Sequence, residues 1–212
     1  MIVPPGTLPA GDGPGPLSYV VTDIESDGPD PGRHSMLSFG SVAVDRAGRG
    51  LGEFAANLMP LPGGEQDPGT MTWWGSEPDA WRETTRDPQD PAAVMRAFAD
   101  WVRGLPGTPV FVAHPLTFDG LWIDWYLQRF VGNRLFRRPR SPGLCHAGGL
   151  DLQSMVMAAT GRHYRRCERV HYPAEWLGGH DHSHRAIDDA RGYAHLLVLI
   201  LNGGIAATGE DG

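Results

Sequence analysis

Short apolar runs separated by turn signals dominate the first quarter of the chain. Residues 17–24 (LSYVVTDI) and 36–44 (MLSFGSVAV) are rich in β-branched and aromatic side chains, a composition typical of strands. The turn-forming segment 45–50 (DRAGRG) then leads to a third run at 51–58 (LGEFAANL). Three strands with short connections predict an antiparallel meander.

Helical spacing of apolar residues prevails further along the chain. Asp90 before Pro91 predicts a helix start, and apolar residues spaced by about one turn continue the helix. The elements predicted after the meander are a helix over 91–103, a strand over 109–113, and helices over 117–130, 151–160 and 184–201. Strands followed by alternating helix and strand predict an α/β domain with a mixed sheet.

The segment between the meander and this first helix is predicted to be a long loop. Residues 59–91 are rich in Pro, Gly and Asp, and they contain Trp73, Trp74 and Trp81. A loop of this length within a compact domain is usually functional.

Length and composition predict one globular domain. The chain has 212 residues, of which 41% are hydrophobic and 20% charged. We expect a flexible arm over 1–16, the domain over 17–203 and a flexible tail over 204–212. The longest apolar run, near 196–201, is far shorter than the roughly 20 residues that cross a bilayer.

The N-terminus predicts a cytoplasmic protein. Residues 1–16 have neither a basic start nor an apolar core, so they do not resemble a signal peptide. Cys145 and Cys167, the two cysteines of the chain, are too few for a disulfide framework, and we expect free thiols.

Positive charge is concentrated in one stretch. All 18 basic residues are arginines, and nine of them lie between 129 and 169 together with only two acids, whereas the whole chain has a net charge of -7. Such a stretch is either a solvated loop region or a surface that faces phosphates.

Three motifs carry candidate chemistry. Asp23 and Glu25 end the first predicted strand, where residues two apart project from the same face and can share a cation. Asp119 falls in the first turn of a predicted helix, a place that carboxylates favour in any case. The segment 184–190 (HRAIDDA) is more specific, because a His-x-Ala-x-x-Asp pattern is expected only about 0.07 times by chance.

In this order the motifs resemble those of the DEDD superfamily of 3'-5' exonucleases, in the DEDDh branch, whose fifth residue is a histidine. Proofreading subunits, oligoribonuclease and ribonuclease T belong to that branch. The resemblance covers roughly residues 18–200 and implies a ribonuclease H-like fold, with a mixed five-stranded sheet of order 3-2-1-4-5 flanked by helices. The segment 71–74 (MTWW) is similar to a divergent branch with phage exonucleases and mycobacterial exoribonucleases.

The resemblance implies a metal-dependent hydrolysis of 3'-terminal phosphodiester bonds in single-stranded DNA or RNA. Two divalent cations, Mg2+ or Mn2+, would activate water and stabilise the charge that develops on the phosphate. His184 would be the general base. The implied metal ligands are Asp23, Glu25, Asp119 and Asp189. Two neighbours compete for these roles, but the spacing of the family motif selects Asp189 over Asp188 and His184 over His182.

Two departures from the family pattern concern substrate contacts. Pro115 stands where members often have Asn, and residues 26–28 (SDG) replace a common Thr-Thr-Gly. The residues expected to bind substrate are Ser26, Trp73, Trp74, Arg137, Arg138 and Arg140. The expected partner is a single-stranded 3' end and not a membrane, and a homodimer is compatible with the sequence.

Two alternatives remain open at this point. One is a structural zinc site, for which the sequence offers no CxxC or HxxxH spacing. Its candidate ligands are Cys145, His146, Cys167, His171, His180 and His182. The other is a non-catalytic nucleic-acid-binding module of the same fold. Four gathered carboxylates argue against such a module, because their charge repels phosphates unless cations neutralise it.

Overall fold

A mixed five-stranded sheet forms the centre of the computed structural model, which describes residues 15–137, 143–180 and 183–205. The strands are β1 (Leu17–Ser26), β2 (Met36–Val44), β3 (Gly50–Asn57), β4 (Thr108–Ala113), β5 (Arg134–Phe136), β6 (Gly143–Cys145) and β7 (Leu150–Asp151). The sheet order is β3-β2-β1-β4-β7, and β5 pairs with β6 in a separate ribbon. The predicted meander and sheet order are therefore confirmed, with β7 as the fifth strand.

Helices cover both faces of this sheet. They are α1 (Pro68–Trp74), α2 (Pro78–Thr84), α3 (Pro91–Gly104), α4 (Leu116–Val131), α5 (Leu152–Thr160) and α6 (Ala186–Leu201). Three 3-10 turns, Tyr164–Arg166, Arg169–His171 and Ala174–Leu177, connect α5 to α6. Aspartate caps fix two of the predicted helix starts, because Asp90 accepts a hydrogen bond from the Ala93 amide and Asp151 accepts one from the Ser154 amide.

The prediction of a long loop over 59–91 is wrong in part, since α1 and α2 lie within it. Each has seven residues and begins with a proline in its first turn. Seven residues are too few for a helical period to stand out among so many Pro and Gly. Asp67 nevertheless provides a side-chain cap for α1 by accepting a hydrogen bond from the Thr70 amide.

The alternation of side chains along β1 separates two hydrophobic cores. Val20 and Ile24 pack on the side of α3 and α4, whereas Tyr19 and Val21 pack on the side of α6. Successive strand residues point to opposite faces. Asp23 therefore follows Val21 onto the face covered by α6, and Glu25 follows it two residues later.

One glycine allows α6 to lie directly on β2. A Cβ atom at Gly40 would be 2.4 Å from the Ile187 Cα, so no side chain fits between strand and helix at this point. Gly40 is paired with Asp23 across the β1-β2 ladder. The close approach thus places the first turn of α6 beside the acidic end of β1.

The predicted terminal segments lie largely outside the described residues. Residues 1–14 of the predicted arm and 206–212 of the predicted tail are not described. Among the described helices, none is both long and apolar enough to cross a membrane.

Candidate active site

Three carboxylates from two elements converge on the α6 side of the sheet. Asp23 and Glu25 come from β1 and Asp189 from α6, and one oxygen of each lies within 4.8 Å of the others. Asp189 is fully buried, while Asp23 and Glu25 are partly exposed. Carboxylate oxygens at this spacing are the ligands that hard divalent cations prefer.

Asp119 is the fourth predicted acid, and it is buried on a different element. It occupies the first turn of α4, is 2% exposed, and does not belong to the set within 4.8 Å. Its Oδ2 atom has no hydrogen-bond partner among the described residues. An orphaned carboxylate oxygen beside other acids fits a site that is completed by cations.

The raised pKa values of the clustered carboxyl groups also fit a site that is completed by cations. Burial raises the pKa of Asp119 to about 8. Burial first, and then the neighbouring Asp119 carboxylate, raise the pKa of Asp23 well above its ordinary value. Burial and the charge of Asp189 do the same to the pKa of Glu25. Bound cations would remove this penalty by pairing with the ionised oxygens.

The neighbouring acids Asp188 and Asp189 have different environments. Asp188 forms ion pairs with Arg191 at 2.8 Å and Arg185 at 3.5 Å and is partly exposed. Asp189 points into the acidic cluster instead. This difference supports the choice of Asp189 over Asp188. The alternative to His184, His182, lies outside the described residues.

His184 precedes α6 and does not belong to it, so the predicted helix start is two residues too early. The helix begins at Ala186, and His184 has a left-handed backbone with φ of 51°. Its imidazole lies edge-on to the indole of Trp73, with ring centroids 4.8 Å apart. The loop and this aromatic contact therefore orient the ring.

An arginine that the sequence motifs do not indicate lies at the cluster. The Nη2 atom of Arg169 is 3.2 Å from Asp189 Oδ1. Its guanidinium lies over the Tyr193 ring, 5.3 Å from the centroid, and that ring stacks on His114 at 4.9 Å. In the sequence Arg169 is one of nine similar arginines, so only tertiary structure distinguishes it.

A cavity of about 250 Å³ opens beside the carboxylates. Its lining combines polar backbone from the end of β1 with aromatic rings from α1 and α4. The lining residues are Ile24, Glu25, Ser26, Gly28, Pro29, Thr70, Trp73 and Phe118. These dimensions and this chemistry suit one nucleotide.

The two adjacent tryptophans differ in exposure. Trp73 is 39% exposed and lines the cavity. Trp74 is 2% exposed, and its Nε1 atom donates a hydrogen bond to the Ser26 carbonyl at 3.0 Å. The Trp74 ring is thus packed beneath the end of β1, and of the two tryptophans Trp73 is the better candidate for contact with substrate.

Another cavity, of about 320 Å³, lies between β3, α2 and the start of α6. Arg86 and Arg185 line it together with Glu83 and Asp87. Glu83 pairs with Arg86 at 3.1 Å and approaches Arg185 at 4.0 Å. With its charges balanced, this cavity offers a phosphate less attraction than an unpaired basic site would.

The predicted basic surface is described only in part. Arg137 is exposed, and Arg138 and Arg140 lie outside the described residues. Phosphate binding by this segment stays a prediction.

The candidate zinc ligands do not converge in the described structure. Cys145 belongs to the core beside α3 and α4, and Cys167 to the core beside α6. Among described residues, the acidic cluster is the set of three or more potential ligands that meets the spacing for a metal ion. The zinc alternative has no support there.

Comparisons with known proteins agree with this geometry. No protein-family model matches the chain. Over 192 residues it is 31% identical to the 3'-5' DNA exonuclease Cap18 of Escherichia coli, covering 86% of this chain and 90% of that protein.

Solved structures share the fold at lower identity. The nuclease domain of 3'hExo, a DEDDh family member bound to rAMP, superposes with a TM-score of 0.59 at 10% identity, over 89% of this chain and 92% of that one. E. coli exonuclease I in complex with a dT13 oligonucleotide gives 0.58 at 16% identity, over 87% and 40% of the two chains. With the sequence relative and the ribonuclease H-like sheet, these findings show that the chain belongs to the DEDDh-type 3'-5' exonucleases.

Proposed function

We propose that this exonuclease removes nucleotides from single-stranded 3' ends with two divalent cations, Mg2+ or Mn2+, and a histidine base. The observation that carries the proposal is the convergence of Asp23, Glu25 and Asp189 within 4.8 Å, with the buried Asp119 close enough to raise the pKa of Asp23. When bound, the cations would supply an activated water and stabilise the charge on the phosphate.

The remaining roles, cation binding and proton transfer, are assigned to different side chains of the protein. The four acids would hold the cations, and Asp119 Oδ2, which has no hydrogen-bond partner among the described residues, would gain one. His184 accepts the proton of the attacking water, a role for which an imidazole titrates in the right range. Its contact with Trp73 keeps the ring at the edge of the nucleotide cavity.

The cavity beside Glu25 receives the terminal nucleotide. Trp73 and Phe118 offer aromatic faces to the base, and stacking tolerates any base sequence. Ser26 is an indirect contributor, because its hydroxyl donates a hydrogen bond to the Gly28 carbonyl at 2.8 Å and shapes this rim. We propose DNA rather than RNA as the substrate, because the E. coli relative is named a DNA exonuclease.

The test uses 5'-labelled single-stranded DNA and RNA of one sequence, treated with EDTA and then with Mg2+ or Mn2+. We expect a ladder that shortens from the 3' end, on DNA, only after a cation is added. Asp189→Asn should reduce turnover by at least about 10²-fold, since a ligand is lost. The matched control Asp188→Asn, which weakens only the partly exposed ion pairs with Arg191 and Arg185, should stay within about fivefold of the wild type.

Equal losses in the two variants would contradict the assigned ligand. Internal cuts in place of a ladder would contradict exonucleolytic action on these substrates.

A further inference from the structure

Arg169 is a buried cation at the acidic cluster. Its side chain is 10% exposed and is held in three directions. Nη2 lies 3.2 Å from Asp189 Oδ1 and 3.4 Å from the His180 carbonyl, and the guanidinium covers the Tyr193 ring. Arginine keeps its charge in such surroundings.

Its hydrogen bonds alone do not explain why it is there. The Nη1 atom has no hydrogen-bond partner among the described residues. A buried ion pair seldom gives more stability than apolar packing of the same volume. Here, however, the paired acid belongs to a crowded group of carboxylates, and the positive charge of Arg169 also favours the ionised form of Asp23.

The packing around Arg169 restricts its movement. Tyr193 supports the guanidinium from below and is itself stacked on His114, with ring planes 10° apart. The Nη1 atom is 3.5 Å from the place where a Cβ of Gly192 would lie, a van der Waals distance, so α6 packs closely against the guanidinium at this point. The side chain is thus confined beside Asp189.

We propose that Arg169 is a positioning residue that substitutes for bound cations while the site is metal-free and holds the Asp189 carboxylate in its ligating orientation. The inference rests on the metal site of the proposed function. It implies that Arg169 contributes most to stability when the carboxylates have no other positive charge near them.

The test compares melting temperatures in EDTA and in saturating Mn2+. Arg169→Gln should lower Tm by about 5–10 °C in EDTA, because it leaves the carboxylates without a counter-charge. At least half of this loss should disappear in Mn2+. The control Arg166→Gln removes a neighbouring exposed arginine and should leave both temperatures unchanged.

A second comparison separates charge from packing. In an Asp189→Asn background, Arg169→Gln should cost much less in EDTA, because the principal partner of the arginine is already neutral. An equal loss in EDTA and Mn2+, or an unchanged cost in this background, would reduce Arg169 to a packing residue on Tyr193 and overturn the inference.

Arg169→Lys provides the test if Arg169→Gln does not fold in either condition. It keeps the charge, so its Tm in EDTA should stay within about 4 °C of the wild type, and a larger loss that Mn2+ does not reduce would overturn the inference. If Mn2+ fails to raise the Tm of the wild type, the proposed metal site is wrong, and that failure is distinct from failure of the role of Arg169.

Discussion

The indole of Trp73 meets the imidazole of His184 edge-on, with ring centroids 4.8 Å apart. On its other side Trp73 contacts Trp74 at 4.6 Å, and Trp74 contacts Trp81 at 5.4 Å. The row runs from Trp81 in the middle of α2 to the wall of the nucleotide cavity. Trp73 thus contacts His184, the expected general base, and also lines the expected binding site for the terminal nucleotide.

Replacement of the two adjacent tryptophans should have different effects. Trp73→Ala should raise KM for single-stranded DNA by roughly 5- to 150-fold, the equivalent of about 1–3 kcal/mol of base stacking, with little change in Tm. Trp74→Ala should mainly lower stability, by about 3–5 kcal/mol, because it leaves a cavity and an unpaired Ser26 carbonyl. Steady-state kinetics and thermal melting measure both, and a Trp73→Ala variant that loses Tm but keeps KM would contradict the stacking role.

Loss of the imidazole of His184 should slow turnover without loss of the metal site. Asn is the best replacement, since it tolerates the left-handed backbone found there. His184→Asn should reduce kcat by roughly 10²- to 10⁴-fold, with partial recovery at high pH where hydroxide is plentiful. The rise of Tm on addition of Mn2+ should persist. A variant with normal kcat would show that another group takes the proton.

Neutralisation of the basic segment should weaken substrate binding. Arg137 is exposed, and we expect the triple replacement of Arg137, Arg138 and Arg140 by Gln to flatten the dependence of KM on salt. Each lost phosphate contact reduces the logarithmic slope by about 0.7 on a single strand. The control replaces three arginines of α2 and α3, namely Arg82, Arg96 and Arg103. An unchanged slope in the first variant would make the segment a solvated loop.

His114 should make the protein sensitive to mild acid. It is buried, its Nε2 atom lies 2.7 Å from the Tyr172 hydroxyl, and burial lowers its pKa below the ordinary 6.5. As pH falls through 6.5, the imidazole of His114 therefore becomes protonated in the unfolded chain while it stays neutral in the folded chain. Stability is lost in that range, by at most about 1.4 kcal/mol per pH unit.

The measurement is Tm against pH between 7.5 and 5, in EDTA. His114→Gln should flatten the acid side of the curve, whereas His171→Gln, which changes an exposed side chain, should not. If both variants keep the slope of the wild type, His114 is not its source.

The sequence predicted the features that depend on local pattern. The meander followed from three apolar runs, and the sheet order followed from the family resemblance. The choice between Asp188 and Asp189 depended on one motif spacing, and the difference in their environments supports it. The meander and the motif spacing are each encoded within a short segment, whereas the sheet order required the resemblance over most of the chain.

Features that depend on distant contacts were not predictable in this way. α1 and α2 are too short to produce a clear helical period. The left-handed backbone at position 184 could not be predicted, because the residue there is a histidine and not the usual glycine or asparagine. Arg169 reaches its place through a turn between α5 and α6, beside residues far away along the chain. Only packing against Tyr193 and Asp189 distinguishes it from the other arginines.

The seating of α6 on Gly40 also links the proposed site to the order in which the chain folds. Asp23, Glu25 and Asp119 leave the ribosome well before Asp189, and the contact between Gly40 and Ile187 joins an early strand to α6. β1 and β2 are adjacent antiparallel strands, so a nascent chain holds both of them before α6 has been synthesised. Its acids nevertheless remain an incomplete set until α6 docks, so we expect a nascent chain without α6 to lack the proposed metal site.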